Sequence, residues 1–186
     1  MQKPYLLVVT GRPGSGKTTF AKTLGSEFCM PVISRDEMKE GYVHTLGKSH
    51  AELPPETNRI ATDIFFDTLM GLIDHHVSVI AEAAFQHAIW SYMLEHFQEK
   101  ARIYLLICKL DEKIALNRYI NRGLGSPLRE YFHGDDGVNM AKNGIRPNVS
   151  PYEEPRFDAP TFYIDTFGEY RPSVRELGKI ILDRLL

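Results

Sequence analysis

Residues 5–20 read YLLVVTGRPGSGKTTF. A short β-branched and aliphatic run, Tyr5 to Thr10, passes directly into Gly11, Arg12, Pro13, Gly14, Ser15, Gly16, Lys17 and Thr18, filling every fixed position of the pattern GxxxxGK[ST]. In such a loop consecutive backbone N–H groups turn inward around a phosphate, which requires unusual dihedrals and close backbone approach at its glycines. A helix starting near Gly16 adds unpaired N–H groups and a positive dipole end. Lys17 then reaches the β- and γ-phosphates, and the Thr18 hydroxyl is placed for Mg²⁺. Average residue usage makes an accidental match roughly a one-in-a-hundred event for a chain of this length. A dinucleotide fingerprint GxGxxG counted from Gly14 fails, because Thr19 stands where its last glycine belongs. Gly11 to Thr19 therefore reads as a Walker A loop, or P-loop, for ATP.

The surrounding chain supplies a frame for it. At 186 residues there is room for one substantial core, and residues 1–186 are expected to form a single domain. Hydrophobic residues at 43% and charged residues at 25% lie in the ordinary globular range. A formal net charge of −2 gives no electrostatic case for a nucleic-acid or anionic membrane surface, so a nucleic-acid partner is disfavoured. The first apolar run leads straight into the loop and cannot be a cleaved leader without destroying it. Cys29 and Cys108 sit in or beside apolar runs, and buried, reduced thiols suit the cytosol. A soluble, cytoplasmic protein is expected.

Apolar periodicity predicts a helix over 18–28, a short strand at Pro31 to Ile33, and a new helix opened by Ser34 with Glu37 at capping-box spacing. From Gly41 to Pro55 the pattern fades into a loop or broken helix. A helix over 56–75 delivers a strand at Val77 to Ala81, ending on Glu82. A helix over 89–98, a near-continuous apolar strand over 102–108 and a helix opened by Asp111 follow. Residues 123–156, rich in Gly, Pro and Asn, read as a mobile lid, before a strand at Thr161 to Asp165 and a closing helix from Val174 to Leu186. Strands alternating with helices imply an α/β fold, a parallel five-stranded sheet with helices on both faces and ligands at the strand carboxyl ends.

Phosphoryl transfer needs charge neutralisation, a metal and a group that orients the nucleophile. Asp36, at the mouth of the second strand, is either a base for a substrate hydroxyl or an ordinary first-turn acid. Glu82 is either a Walker B-type carboxylate holding Mg²⁺ through water, or contacting substrate, or a solvent-facing acid. Arg118 and Arg122, four residues apart beside the lid, form either a phosphate clamp or a solvated basic face. Tyr42, His44, His50, Tyr131, His133 and Arg146 lie in the segments that would shape an acceptor pocket, and are equally at home in solvated loops. His133 with Asp135 and Asp136 reads as a polar turn in preference to a metal site.

The succession GRPGSGKTTF, ISRDEM, VIAEAAF, NRYINRG and FYIDT resembles the small P-loop kinases that include polynucleotide 5′-hydroxyl kinase, chloramphenicol phosphotransferase and the zeta-toxin kinases. The resemblance runs from residue 5 to about 122 and again from about 155 to 186. It implies the P-loop NTPase fold, Asp36 activating an acceptor hydroxyl with Arg35 alongside, Arg118 and Arg122 as lid arginines, and Glu82 as the strand-end acid. EAAFQ stands where adenylate kinases carry DGxPR, which disfavours a nucleoside monophosphate acceptor. The expected activity is transfer of the γ-phosphate of ATP·Mg²⁺ to a hydroxyl of a small molecule. A nucleotide-dependent switch with slow hydrolysis and a polynucleotide kinase stay as alternatives.

Overall fold

The structure, a computed structural model, describes residues 2–145, 147 and 151–182. Strand β1 (Tyr5–Thr10) lies at the centre of a five-stranded sheet of order β2-β3-β1-β4-β5, with β2 (Val32–Ser34), β3 (Val79–Glu82), β4 (Arg102–Lys109) and β5 (Thr161–Asp165). Every neighbouring pair is parallel. Period-2 alternation along β1 sends Leu6 and Val8 to one core layer and Leu7 and Val9 to the other, so both sheet faces must be covered. On the first face lie Phe65 and Leu69 of α3 (Thr57–Asp74) with Trp90 and Leu94 of α4 (His87–Phe97). On the second lie Phe20 and Leu24 of α1 (Lys17–Phe28) with Leu177 and Ile181 of α8 (Val174–Ile181). The fold expected from the alternation of strands and helices is the fold observed.

Register brings the carboxyl ends of β1, β2 and β3 together, since Val9 pairs with Glu82 and Ser34 pairs with Glu82. That edge is locked from behind by one hydroxyl. Thr10 Oγ1 donates to the Ala83 carbonyl at 2.8 Å and accepts from Trp90 Nε1 at 2.9 Å. With its proton so used, its second lone pair accepts from the Tyr152 phenol at 2.7 Å. Trp90 is 1% exposed and packs edge-on against Phe65, Phe66 and Phe85, so the end of β1 is pinned to an aromatic block.

Four expectations need correction. Helix α2 (Arg35–Leu46) continues through Gly41 and stops at Gly47, in the left-handed conformation, before a 3-10 turn at His50–Glu52. The capping box at Ser34 and Glu37 does not form: the Ser34 hydroxyl donates instead to Glu82, and Glu37 pairs with Lys22 at 2.7 Å. The glycine-rich lid contains two short helices, α6 (Pro127–His133) and α7 (Asp136–Lys142), after α5 (Glu112–Leu124). Ser126 caps α6 by accepting from the Arg129 N–H, and Pro127 occupies its first turn. Finally, Cys29 is exposed, because it ends α1 with φ +52° at the surface, whereas Cys108 is buried and its thiol is pushed up to about 12 by that burial. The closing helix is seen to Ile181, and positions 183–186 fall outside the described residues, as does Arg146. Among the described residues no helix is long and apolar enough to cross a membrane.

Candidate functional site

The loop between β1 and α1 takes its shape from backbone and from neighbours. Gly14 and Gly16 have φ +80° and +84°, a region that side chains disfavour. At Gly14 a Cβ would come within 2.0 Å of the Ala115 carbonyl, so helix α5 packs directly on the loop and admits only hydrogen there. The Thr166 hydroxyl, just past β5, lies 2.6 Å from the Ser15 carbonyl and 3.0 Å from the Lys109 carbonyl, tying the loop to the far side of the sheet. The Ser15 Oγ is buried without a partner, 2.7 Å from where a Cβ at Gly11 would stand. Arg12 pairs with Glu112 at 3.2 Å, which draws its side chain toward α5.

Because α5 rests on Gly14, its arginines are carried over the loop. Gly14, Gly16, Lys17, Thr18, Thr19, Arg118 and Arg122 line one cavity of about 220 Å³. Burial and the neighbouring Arg129 lower the pKa of Arg122 from its ordinary value, while Asp36, Asp135 and Glu82 act to raise it. The two arginines and the P-loop, separated by a hundred residues in sequence, thus enclose one space.

Glu82 is the hub of the strand edge. It is 2% exposed, and its carboxylate faces Lys17 Nζ at 3.8 Å, accepts from Thr18 Oγ1 at 3.3 Å and accepts from Ser34 Oγ at 2.7 Å. The reading of Glu82 as a solvent-facing acid does not survive this burial. Hard oxygen donors from Thr18 and Glu82 meeting beside the loop fit a magnesium ion.

Asp36 lies in the first turn of α2 with its carboxylate 47% exposed, 3.6 Å from the Arg35 guanidinium. Partial burial works to raise its pKa, but His133, Lys17, Arg35 and Arg129 outweigh that and hold the carboxyl below its usual range. It is therefore an ionised, half-exposed acceptor just past the carboxyl end of β2, within reach of the charge of Lys17. Arg35, expected alongside a substrate, turns toward α3: it donates to the Asn58 carbonyl at 2.8 Å and to Asn58 Oδ1 at 3.2 Å. Its local task is to fix the first turn of α2.

Three residues near Asp36 were not singled out in these roles by sequence. Lys39, 3% exposed, donates to the His133 carbonyl at 3.0 Å; His133, 6% exposed, meets Glu40 through Nε2 at 2.7 Å; Arg129 pairs with Asp135 at 2.8 Å. Lys39 stands three residues after Asp36, a spacing that signals a shared helix face, but lysine on a surface helix gives no hint of burial. His133, read as part of a polar turn with Asp135 and Asp136, instead docks the lid onto α2. No group of acidic, histidine or cysteine side chains among the described residues could hold a metal by itself.

A family model described as an AAA domain matches residues 6–131, from β1 into α6. The chain belongs to the AAA domain family. A search of curated proteins finds no match to this AAA domain. Among solved structures it is similar to a kinase candidate from Chloroflexus aurantiacus, 19% identical over 100% of both chains with a TM-score of 0.77. It is also similar to the APS kinase of Mycobacterium tuberculosis, solved with AMPPNP and APS, at 14% identity over 98% of both chains and a TM-score of 0.64. A gluconokinase from Sinorhizobium meliloti shares 17% identity, with 98% of this chain and 97% of that one covered, at a TM-score of 0.53. At these identities the likeness is one of fold, and the fold is that of P-loop kinases.

Proposed function

We propose that this AAA domain is an ATP-dependent phosphotransferase whose acceptor is a hydroxyl of a small molecule. What supports the reading is a half-exposed Asp36 just past the carboxyl end of β2, held ionised in part by the charge of Lys17, a residue of the cavity shared by the P-loop and two arginines. A pure switch needs no carboxylate there, and an acceptor hydroxyl does.

The triphosphate of ATP would lie in the loop from Gly11 to Thr19, against the N-terminal N–H groups of α1. Lys17, held by Glu82 in the free protein, would exchange part of that attraction for the β- and γ-phosphates. Arg118 and Arg122 approach from α5 and would offset charge on the transferring group, the kind of stabilisation that grows in the transition state. Asp36 would accept a hydrogen bond from the acceptor hydroxyl and take its proton as the oxygen bonds to the γ-phosphorus and the bond to the β,γ-bridging oxygen breaks, releasing ADP. Thr18 and Glu82 would hold Mg²⁺, which when bound neutralises phosphate charge. The half-exposed Asp36 leaves the acceptor side open to solvent, consistent with a small diffusible substrate, and the net charge of −2 gives no support to a polyanionic one.

The test is label transfer from γ-labelled ATP to pooled nucleosides, sugars, aminoglycosides and 5′-hydroxyl oligonucleotides, with Asp36→Asn beside the wild type. Label on one pool, lost in the variant, supports the reading. Label found only as slowly released phosphate, unchanged by the variant, favours the nucleotide-dependent switch.

A further inference from the structure

Helix α2 presents two side chains one turn apart, with opposite fates. Asp36 is half-exposed in the site, while Lys39 runs inward and is 3% exposed. The Lys39 ammonium ends beneath α6, where it donates to the carbonyl of His133, the last residue of that helix. Helix-terminal carbonyls have no partner within the helix, and a cation suits the negative end of the dipole. The same helix end is held twice more. His133 Nε2 meets Glu40 Oε1 at 2.7 Å, and Gly134 ends the helix at φ +59° so close to the His50 ring that a Cβ would approach it to 2.4 Å. From α6 the connection continues: Arg129 pairs with Asp135 at the start of α7, and Val138 of α7 packs so closely on Gly123 of α5, the helix that bears Arg118 and Arg122, that a Cβ there would meet it at 2.3 Å.

A buried ammonium is a poor way to gain stability, since a methionine would pack the same stem without the cost of desolvating a charge. Its directional bond across two elements is what an apolar residue could not supply. We propose that Lys39 is a positioning residue: it locks the helix carrying Asp36 to the lid helix α6, so that the acceptor base and the lid arginines are set as one unit. The inference deepens the phosphotransferase reading and rests on it for its catalytic consequence, although the lock itself does not.

The lock is sensitive to pH. Burial lowers the Lys39 amine to about 8, Arg35 and Arg129 push the same way, and Asp36 and Asp135 oppose them. Glu40 on α2, His133 on α6 and His50 on the 3-10 turn complete the titratable groups around it. Burial opposes the charged form, so the closed lock sheds its proton more readily than the released one and is favoured as pH rises through that value.

The experiment measures hydrogen exchange of the peptides covering α6, at pH 7 and pH 9.5 after correction for intrinsic exchange, in wild type, Lys39→Met and Lys39→Arg, alongside label transfer and ATP affinity. Lys39→Met is expected to speed α6 exchange by about tenfold at pH 7 and to slow label transfer by at least about tenfold, with ATP affinity within about threefold of wild type. Lys39→Arg is expected to retain protection and rate at pH 7, and to abolish the gain of protection that wild type shows between the two pH values. Unchanged α6 exchange in Lys39→Met, or ATP affinity falling in step with rate, overturns the proposal while leaving the phosphotransferase reading intact. A wild type whose α6 is protected but which labels no acceptor refutes that reading, and the positioning role with it.

Discussion

Replacing Glu82 by Gln removes one charge from the most buried ion pair of the site and keeps the shape. Lys17 Nζ lies 3.8 Å from Glu82 Oε1, and the two side chains are 9% and 3% exposed. At an effective dielectric of about 20 that separation corresponds to an attraction of about 4 kcal/mol. Ser34 and Thr18 lose little, because a glutamine amide can accept from one hydroxyl and donate to the other. The main loss is therefore the uncompensated ammonium, and breaking a buried pair from one side costs about 3–5 kcal/mol in comparable cases. For a chain of this size that is a fall in Tm of roughly 10 °C. The same change should strengthen binding of magnesium-free pyrophosphate, which meets Lys17 without competition from Glu82, so pyrophosphate in EDTA should recover more of the Tm in Glu82→Gln than in wild type. Differential scanning fluorimetry with and without pyrophosphate measures both effects. A Tm within about 2 °C of wild type, with equal shifts on adding pyrophosphate, would refute a stabilising pairing of Lys17 with Glu82.

Gly14→Ala places a methyl group 2.0 Å from the Ala115 carbonyl at φ +80°, so α5 must move off the loop; ADP affinity measured by titration should fall by at least about tenfold, and an unchanged affinity would show that loop and lid helix are not in obligatory contact. For Lys39 the folded value of about 8 lies below the ordinary 10.5, so the native state sheds its proton first as pH rises. Its contribution to stability is therefore flat below pH 8 and climbs between pH 8 and 10.5, by about 3 kcal/mol. Urea unfolding of wild type and Lys39→Met at pH 7 and pH 10 should show the rise in the first and not in the second; parallel behaviour would contradict it. The folded pKa of Asp36 is lowered too, below 3.8, so it stays ionised at all higher pH and should impose no acidic limb on kcat/KM above about pH 4, which a pH–rate profile checks.

The P-loop, the five strands and the placement of Glu82 at a strand end were legible because each is a local pattern: an apolar run of strand length, a glycine spacing, an acid where the run stops. Arg118 and Arg122 were legible as a pair on one helix face, but that the face covers the loop follows from Gly14 touching Ala115, a contact between segments a hundred residues apart. The capping box at Ser34 was misread for a related reason: its hydroxyl had a second partner, Glu82, which only the pairing of β2 with β3 brings near. The lid helices were hidden by their length, since seven residues hold too few turns to show a period, and their stability comes from the contacts of His133 and Arg129. The burial of Lys39 and Thr166 left no signal, because burial of a lysine amine or a threonine hydroxyl depends on what folds over it.

The central claim, that Asp36 directs phosphate to a hydroxyl, is tested most directly by one ratio. With γ-labelled ATP and whichever acceptor pool takes label, the amounts of acceptor-bound and free phosphate are measured in wild type and Asp36→Asn at saturating nucleotide. The expected result is a loss of acceptor labelling of at least about a hundredfold in the variant with ATP affinity preserved. Equal labelling in the two proteins, or loss of ATP binding together with labelling, would contradict the account.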